Sequence, residues 1–279
     1  MSREPNPHRL GLDAPALKEK ARRLRRHVVR MVASIGEGYA GQGLGAADLL
    51  AALYFHEMAY DPDDPSWPER DRFILSPAHY GVGLFAALAE RGVMPVQELS
   101  QYGNDGSAME IIASERLPGV EATCGSLGMG LSVGVGMSLS LRRRGSTARA
   151  YVLIGDGEMQ EGSTWEAAMS AAHFGLSNLL AIVDVNDMQV DGATTSVMNM
   201  GDIAAKWRAF GWNTIALDGH DMRAILAAFE AGRGHGTGPT VLVADTSPGR
   251  GVSRLEGRKS HFAKLPPELA AEALAELEG

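Results

Sequence analysis

The sequence predicts an α/β fold, a mostly parallel sheet covered by helices on both faces, and three observations predict it. Runs such as Tyr151-Val-Leu-Ile154, Leu179-Leu-Ala-Ile-Val183 and Thr240 to Ala244 are apolar throughout rather than alternating, as strands buried on both sides are. Helical segments separate these runs, and parallel strands need such crossover connections. The 279 residues are 45% hydrophobic and 22% charged, the balance of a globular chain that buries a sizeable core.

The elements follow in order. Residues 14 to 35 form the first predicted helix, because Leu17, Ala21, Leu24, Val28 and Met31 recur at spacings of three and four. Its other face carries Arg22, Arg23, Arg25, Arg26 and Arg30 and is expected to be solvated. A glycine loop from Gly36 to Gly45 leads into an apolar helix over residues 46–57. The prolines and turn formers of Asp61-Pro-Asp-Asp-Pro-Ser-Trp-Pro68 mark a surface loop. Arg72-Phe-Ile-Leu-Ser76 reads as a short buried strand, followed by a helix over residues 80–91. A glycine-rich helix spans residues 128–143, its small residues suited to close packing in the core. The strand 151–154, a helix at 163–174 and the strand 179–183 come next. A helix at 202–210, a strand from Trp212 to Leu217, a helix at 221–231, the strand Thr240 to Ala244 and a terminal helix at 266–278 complete the pattern. No internal repeat or long linker divides the chain, so residues 1–279 are expected to form a single domain.

Composition excludes several functions. Lys plus Arg total 26 against 34 Asp plus Glu, a formal charge of −8, which argues against a nucleic-acid binder. One cysteine, Cys124, allows neither an intrachain disulfide nor a Cys-rich zinc site. The opening MSREPNPHRL has no apolar run of a secretory signal, and no stretch approaches the ~18 apolar residues of a membrane span. A soluble cytoplasmic protein is the expectation. The 34 glycines cluster at 36–45, 125–136, 155–162 and 232–238. Such clusters suit backbone that comes close to a ligand, except the last, which reads as a flexible surface loop.

Open parallel sheets bind ligands at the carboxyl ends of their strands, near a reversal of strand order. Two adjacent predicted strands end in Gly155-Asp156-Gly157 and Asn186-Asp187-Met188. A carboxylate and an amide oxygen at neighbouring strand ends suit Mg²⁺, which takes oxygen ligands and is typically held by one or two protein groups plus phosphate oxygens. Glycines beside Asp156 let a diphosphate approach the backbone, and the next helix N-terminus adds positive field. By itself Gly-Asp-Gly is also a common turn.

The spacing adds to this. Gly155-Asp-Gly-Glu-Met-Gln-Glu-Gly-Ser-Thr-Trp-Glu166 leads through a helix into Leu180-Ala-Ile-Val-Asp-Val-Asn-Asp-Met-Gln-Val-Asp-Gly192. This resembles the thiamine-diphosphate motif, and more narrowly the diphosphate-binding domain of transketolases. Gly119-Val-Glu-Ala-Thr-Cys-Gly-Ser-Leu-Gly128 and Arg72-Phe-Ile-Leu-Ser-Pro-Ala-His79 match the same family, and the similarity runs from about residue 20 to 265.

The resemblance implies roles. Asp156 and Asn186 would bind the metal (Mg²⁺, or Ca²⁺ or Mn²⁺) through side-chain oxygens and Met188 through its carbonyl. Gly157 and Glu158 would lie against the diphosphate, and Gly125 and Leu127 beside the cofactor rings. His79 matches the histidine at the diphosphate and substrate channel, and His261 the histidine after the late glycine-rich segment Gly249-Arg-Gly-Val-Ser253. Glu161 resembles an interfacial glutamate, whereas His173 reads as core or surface.

Two positions depart from the family: Tyr39 stands where a histidine is usual, and Ile112 where another would fall in a Gly-His-Pro stretch. Tyr39 offers a hydroxyl but cannot cycle a proton near neutral pH. The chain also matches the first part of a complete transketolase alone. The resemblance therefore implies one subunit of a split enzyme, an α₂β₂ assembly whose partner carries the pyrimidine-binding domain and the activating glutamate. The implied reaction moves a two-carbon ketol unit from a ketose (phosphate) to an aldehyde. Acyl transfer from a 2-oxo acid is the alternative, because a pyruvate-type donor has fewer hydroxyls to recognise. A non-catalytic subunit that keeps the fold is a further one.

Overall fold

The computed structural model describes residues 8–257 and 260–278; most of the opening decapeptide and the extreme C-terminus of the expected domain lie outside them. The first helix, α1 (Ala14–Ile35), starts where the Asp13 carboxylate accepts the Ala16 N–H at 3.0 Å and ends at Gly36, whose φ of 84° closes the last turn onto Val32. A two-residue strand β1 (Glu37–Gly38) and two short helices, α2 (Ala40–Gly45) and α3 (Ala47–Ala52), follow, with a π turn over Leu53–Glu57. Then come β2 (Arg72–Leu75), α4 (Gly81–Arg91), α5 (Gly130–Arg143), β3 (Ala150–Gly155), α6 (Gly162–His173) and β4 (Leu179–Val185). The chain continues through α7 (Thr194–Val197), α8 (Ile203–Ala209), β5 (Asn213–Asp218), α9 (Met222–Gly234), β6 (Thr240–Asp245), β7 (Ala263–Lys264) and α10 (Pro267–Glu276).

Five parallel strands form the central sheet in the order β2-β3-β4-β6-β5. Alternate side chains enter different cores: Tyr151, Leu153, Leu180, Ile182 and Leu242 pack on one face with α1, α3, α4 and α9, and Val152, Ile154, Ala181, Val183 and Val241 on the other with α5, α6 and α8. Handedness explains the partition. The chain steps one way across the sheet from β2 to β5, so its right-handed crossovers through α5, α6 and α8 share a face; it turns back from β5 to β6, and α9 falls on the other. The reversal of strand order therefore lies beside β4, one strand beyond the pair β3 and β4 that carries the polar ends.

Three expectations are corrected. The glycine loop at 36–45 holds helix α2, and its glycines serve packing: a Cβ on Gly43 would lie 2.7 Å from Val82 and 3.1 Å from Val28. The basic face of α1 is only partly solvated, because Arg25 is buried, donating to the Leu44 carbonyl at 3.1 Å and pairing with Asp48. The glycine cluster at 232–238 is loop only after Gly234; Gly232 belongs to α9, where a Cβ would meet Leu180 at 2.8 Å. The expected core role of the helix near 128–143 is met on one side: a Cβ on Gly134 would fall 2.4 Å from Val152, so the helix packs directly on β3 there, while Met129, just before the helix, is exposed.

The ribbon of β1 and β7 has no counterpart among the expected elements. Its antiparallel register pairs Glu37 with Lys264 and Gly38 with Ala263, so the residue after β1, Tyr39, and the residue before β7, Phe262, meet with ring centroids 5.1 Å apart. Thus two segments more than two hundred positions apart in sequence are joined at the carboxyl ends of the sheet.

Candidate functional site

The register of β3 and β4 pairs Gly155 with Asp184, and the Asp156 N–H donates to the Asp184 carbonyl at 3.1 Å. Asp156 and Asn186 therefore leave the sheet side by side. The Asp156 carboxylate is buried and accepts the N–H groups of Gly157 at 2.8 Å and Asp187 at 2.9 Å. Burial, and after it the charge of Asp184, push its pKa up to about 7. The Asn186 amide is turned: Nδ2 donates to Asp184 at 2.6 Å and to the Tyr80 hydroxyl at 2.9 Å, while Oδ1 accepts the Met188 N–H at 2.9 Å. Asp187 between them adopts a φ of 50°, outside the usual range for a side-chain-bearing residue, and its carboxylate accepts the Thr195 N–H at 2.8 Å, pinning the loop onto α7.

Glu158 opens the turn after Asp156, and its carboxylate is used within the protein. It accepts from the Ser76 hydroxyl, from the Gly128 N–H at 2.8 Å and from the Gly155 N–H at 3.1 Å. It thereby ties the ends of β2 and β3 to the loop before α5, and burial raises its pKa. That loop carries Gly125 and Leu127, both exposed. Its tip is fixed by Gly128, where a Cβ would lie 2.6 Å from Glu161. Glu161 itself is exposed ahead of α6, and His173 is exposed at the far end of that helix, against Phe174.

The structure brings three further expected residues together. His79 lies in a 3-10 turn after β2, Tyr39 precedes α2 and His261 follows Ser260. Ring centroids are 4.8 Å apart for Tyr39 and His79, 5.1 Å for His79 and His261, and 5.5 Å for Tyr39 and His261. Burial, with a smaller contribution from His261, lowers the His79 pKa to about 3, and burial lowers that of His261. Both rings are therefore neutral near pH 7. A cleft of about 290 Å³ is lined by Tyr39, Val190, His261 and Phe262, and Val190 belongs to the loop that follows Asn186. Ile112 is not part of this group; it lines a separate pocket with residues of the 103–116 segment and packs on the α5 and α6 side.

Sequence reasoning passed over Tyr80, Asp184, Gln42 and Phe262. Strand alternation carried a signal for Asp184, which shares a face with Asn186 two residues on. Gln42, in the glycine-rich α2, places its amide nitrogen 2.5 Å from His261 Nδ1.

The donor chemistry suits a hard cation with a phosphate ligand. Among the described residues no cluster of three His, Cys, Asp or Glu side chains could enclose a metal alone. Asp156 and Asn186 offer one carboxylate and one amide, few enough that phosphate oxygens and water would complete an octahedron. Two buried carboxylates, Asp156 and Asp184, stand close enough to raise the pKa of Asp156, and a divalent cation would balance that charge.

A parallel α/β sheet with oxygen donors at adjacent strand ends has the chemistry to take a diphosphate through a cation. The family described as "Transketolase, thiamine diphosphate binding domain" matches residues 17–276. The chain belongs to the transketolase family. It is 48% identical over 262 residues to an uncharacterized transketolase family protein of Sinorhizobium fredii, covering 93% of this chain and 94% of that one. It is 39% identical over 264 residues to the 6-deoxy-6-sulfo-D-fructose transketolase subunit SqwG of a Clostridium strain, covering 94% and 96% of the two chains. The crystal structure of Campylobacter jejuni transketolase superposes with a TM-score of 0.89 at 27% identity, over 96% of this chain but 43% of that one. The chain thus spans less than half of that solved transketolase. Among the described residues no helix is long and apolar enough to cross a membrane.

Proposed function

We propose that this chain is a single diphosphate-binding domain acting as one subunit of a split transketolase, in a cytoplasmic α₂β₂ assembly. It would transfer a two-carbon ketol unit from a ketose or ketose phosphate to an aldehyde, with thiamine diphosphate and Mg²⁺ held between the two kinds of chain. The observation that carries this reading is the common placement, at the carboxyl ends of β2 to β4, of the Asp156–Asn186 pair and the cleft beside Tyr39, His79 and His261. The near-complete overlap with a relative named as a transketolase subunit supports the division into two chains.

In this reading Asp156, Asn186 and the Met188 carbonyl hold the cation and through it the diphosphate. Gly157 and the turn carrying Glu158 face the diphosphate with backbone, and Gly125 and Leu127 flank the rings. The bound cofactor supplies a carbanion-stabilising centre. His79 and His261, both neutral, hold hydrogen bonds to substrate oxygens, and Tyr39 supplies a hydroxyl where the family carries a histidine. The partner supplies the pyrimidine-binding domain and the activating glutamate.

The test is co-purification with the candidate partner, titration with thiamine diphosphate and Mg²⁺, and a ketose donor screen. Tight binding in the mixed complex and aldehyde release from a ketose are expected, and Asp156→Ala should abolish cofactor binding. Turnover by the isolated chain would refute the split site, and full affinity in Asp156→Ala would refute the metal assignment. One observation favours a second reading: Tyr39, Val190 and Phe262 make the cleft wall largely apolar, which suits the less hydroxylated 2-oxo acids. Release of CO₂ instead of aldehyde would identify it.

A further inference from the structure

Gln42 is 1% exposed, yet among the described residues its side chain makes a single hydrogen bond, through Nε2 to His261 Nδ1 at 2.5 Å. Its Oε1 is buried with no partner among the described residues, so no backbone contact accounts for a polar side chain here, and a buried amide half-satisfied costs stability. The backbone is built to hold this pair. A Cβ on Gly41 would lie 2.4 Å from the Ser260 hydroxyl oxygen and 2.5 Å from the Ser260 carbonyl, so α2 packs directly on the residue before His261. The Gly41 carbonyl also accepts the Gly249 N–H at 2.8 Å, which fixes the start of the same glycine-rich segment.

We infer that Gln42 is a positioning residue that fixes the His261 imidazole as its Nε2–H tautomer, so that Nε2–H donates to a substrate oxygen in the cleft lined by Tyr39, Val190 and Phe262. An amide nitrogen can only donate, so Nδ1 must accept, and a neutral imidazole with an acceptor at Nδ1 carries its hydrogen on Nε2. His261 Nε2 has no hydrogen-bond partner among the described residues, and the ring lines the cleft. A fixed donor aimed at an oxygen that gains negative charge during carbonyl chemistry stabilises that charge without reorganising. The substrate role rests on the ketol-transfer reading; the tautomer does not.

The experiment reads the two separately. The full chain, labelled with ¹⁵N-histidine, gives the ring-nitrogen shifts and two-bond couplings of His261, assigned by their loss in His261→Asn. The wild-type chain is expected to show unprotonated Nδ1 and protonated Nε2. Gln42→Glu, which places acceptors beside Nδ1, should move the hydrogen to Nδ1 or protonate both nitrogens. Gln42→Met, which keeps the volume, should leave a mixture. In the complex with its partner, Gln42→Glu should lower kcat on the order of 10- to 100-fold, as loss of an orienting partner does, with KM within about twofold. A wild-type His261 protonated on Nδ1, or the same tautomer in all three chains, overturns the inference. Because the shifts are read without cofactor or partner, the expected tautomers support the role of Gln42 whichever donor the complex cleaves.

Discussion

Asp184 holds Asn186 in place through a 2.6 Å hydrogen bond from the amide nitrogen, and so decides which way the amide oxygen faces. Asp184 is itself fixed by the Tyr80 hydroxyl at 2.8 Å and the Thr246 hydroxyl at 2.5 Å, in a fully buried position where burial raises its pKa. A residue behind a ligand that orients it typically controls affinity by about 10- to 100-fold. Asp184→Ala removes the shortest of the amide's bonds and leaves it held by the Tyr80 hydroxyl and the Met188 N–H. Mg²⁺ affinity in the thiamine-diphosphate complex should fall by that factor in calorimetric titration. An affinity within about twofold of wild type would show that Asn186 needs no brace.

Much of the fold was legible because its strands are continuous apolar runs and its helices keep their period. The strand pair that carries Asp156 and Asn186 followed from the same pattern, and the observed register confirms that the two strands are neighbours. What the sequence concealed is tertiary. Helix α2 carries Gly41, Gly43 and Gly45, a composition with poor helix propensity, and it forms because glycine allows Val28, Val82 and Ser260 to come within contact. The β1–β7 ribbon is two residues wide, too short for any alternation to register, yet it brings Tyr39 to Phe262. Arg25 reads as one of five arginines on a polar face, and only the fold reveals its buried partner Asp48. The bonds of the Glu158 carboxylate to Ser76, Gly128 and Gly155 were likewise hidden, because they join three separate segments.

Gly41 should tolerate no side chain. Its added Cβ would fall 2.4–2.5 Å from Ser260 atoms, one of them a backbone carbonyl that cannot rotate away. Overpacking of this kind costs about 1–3 kcal/mol. Gly41→Ala should show that loss in urea unfolding, whereas Gly136→Ala, in open space on α5, should be neutral or slightly stabilising because alanine favours the helix. Equal stability of the two variants would show that α2 moves freely against Ser260.

The histidine pair makes stability depend on pH in a stated direction. The pKa of His79 is about 3 in the folded chain, against about 6.5 when unfolded. Between those values the unfolded chain binds the proton and the folded chain does not, so stability falls as pH drops from about 6.5 towards 3. The slope approaches about 1.4 kcal/mol per pH unit for one such group, and His261, also lowered by burial, adds to it. His79→Gln should flatten denaturant midpoints between pH 4 and 6. An unchanged slope would mean that the imidazole protonates in place.

Tyr39 separates the two donor classes. Its ring is wedged between His79 at 4.8 Å and Phe262 at 5.1 Å, so Tyr39→Phe keeps the packing and removes only the hydroxyl. If that hydroxyl meets a ketose hydroxyl, its loss removes one hydrogen bond worth about 0.5–1.5 kcal/mol, or roughly 2- to 10-fold in kcat/KM for ketose donors. Tyr39→His, which restores the family's residue, should recover that loss and add a group that titrates near neutral pH, visible as a new inflection in the pH–rate profile. For a 2-oxo acid, which presents no hydroxyl at that point, Tyr39→Phe should leave kcat/KM unchanged. Steady-state kinetics of the three chains with one ketose and one 2-oxo acid therefore decide the donor. A fall confined to the ketose upholds ketol transfer, and no change with either substrate would remove Tyr39 from the site.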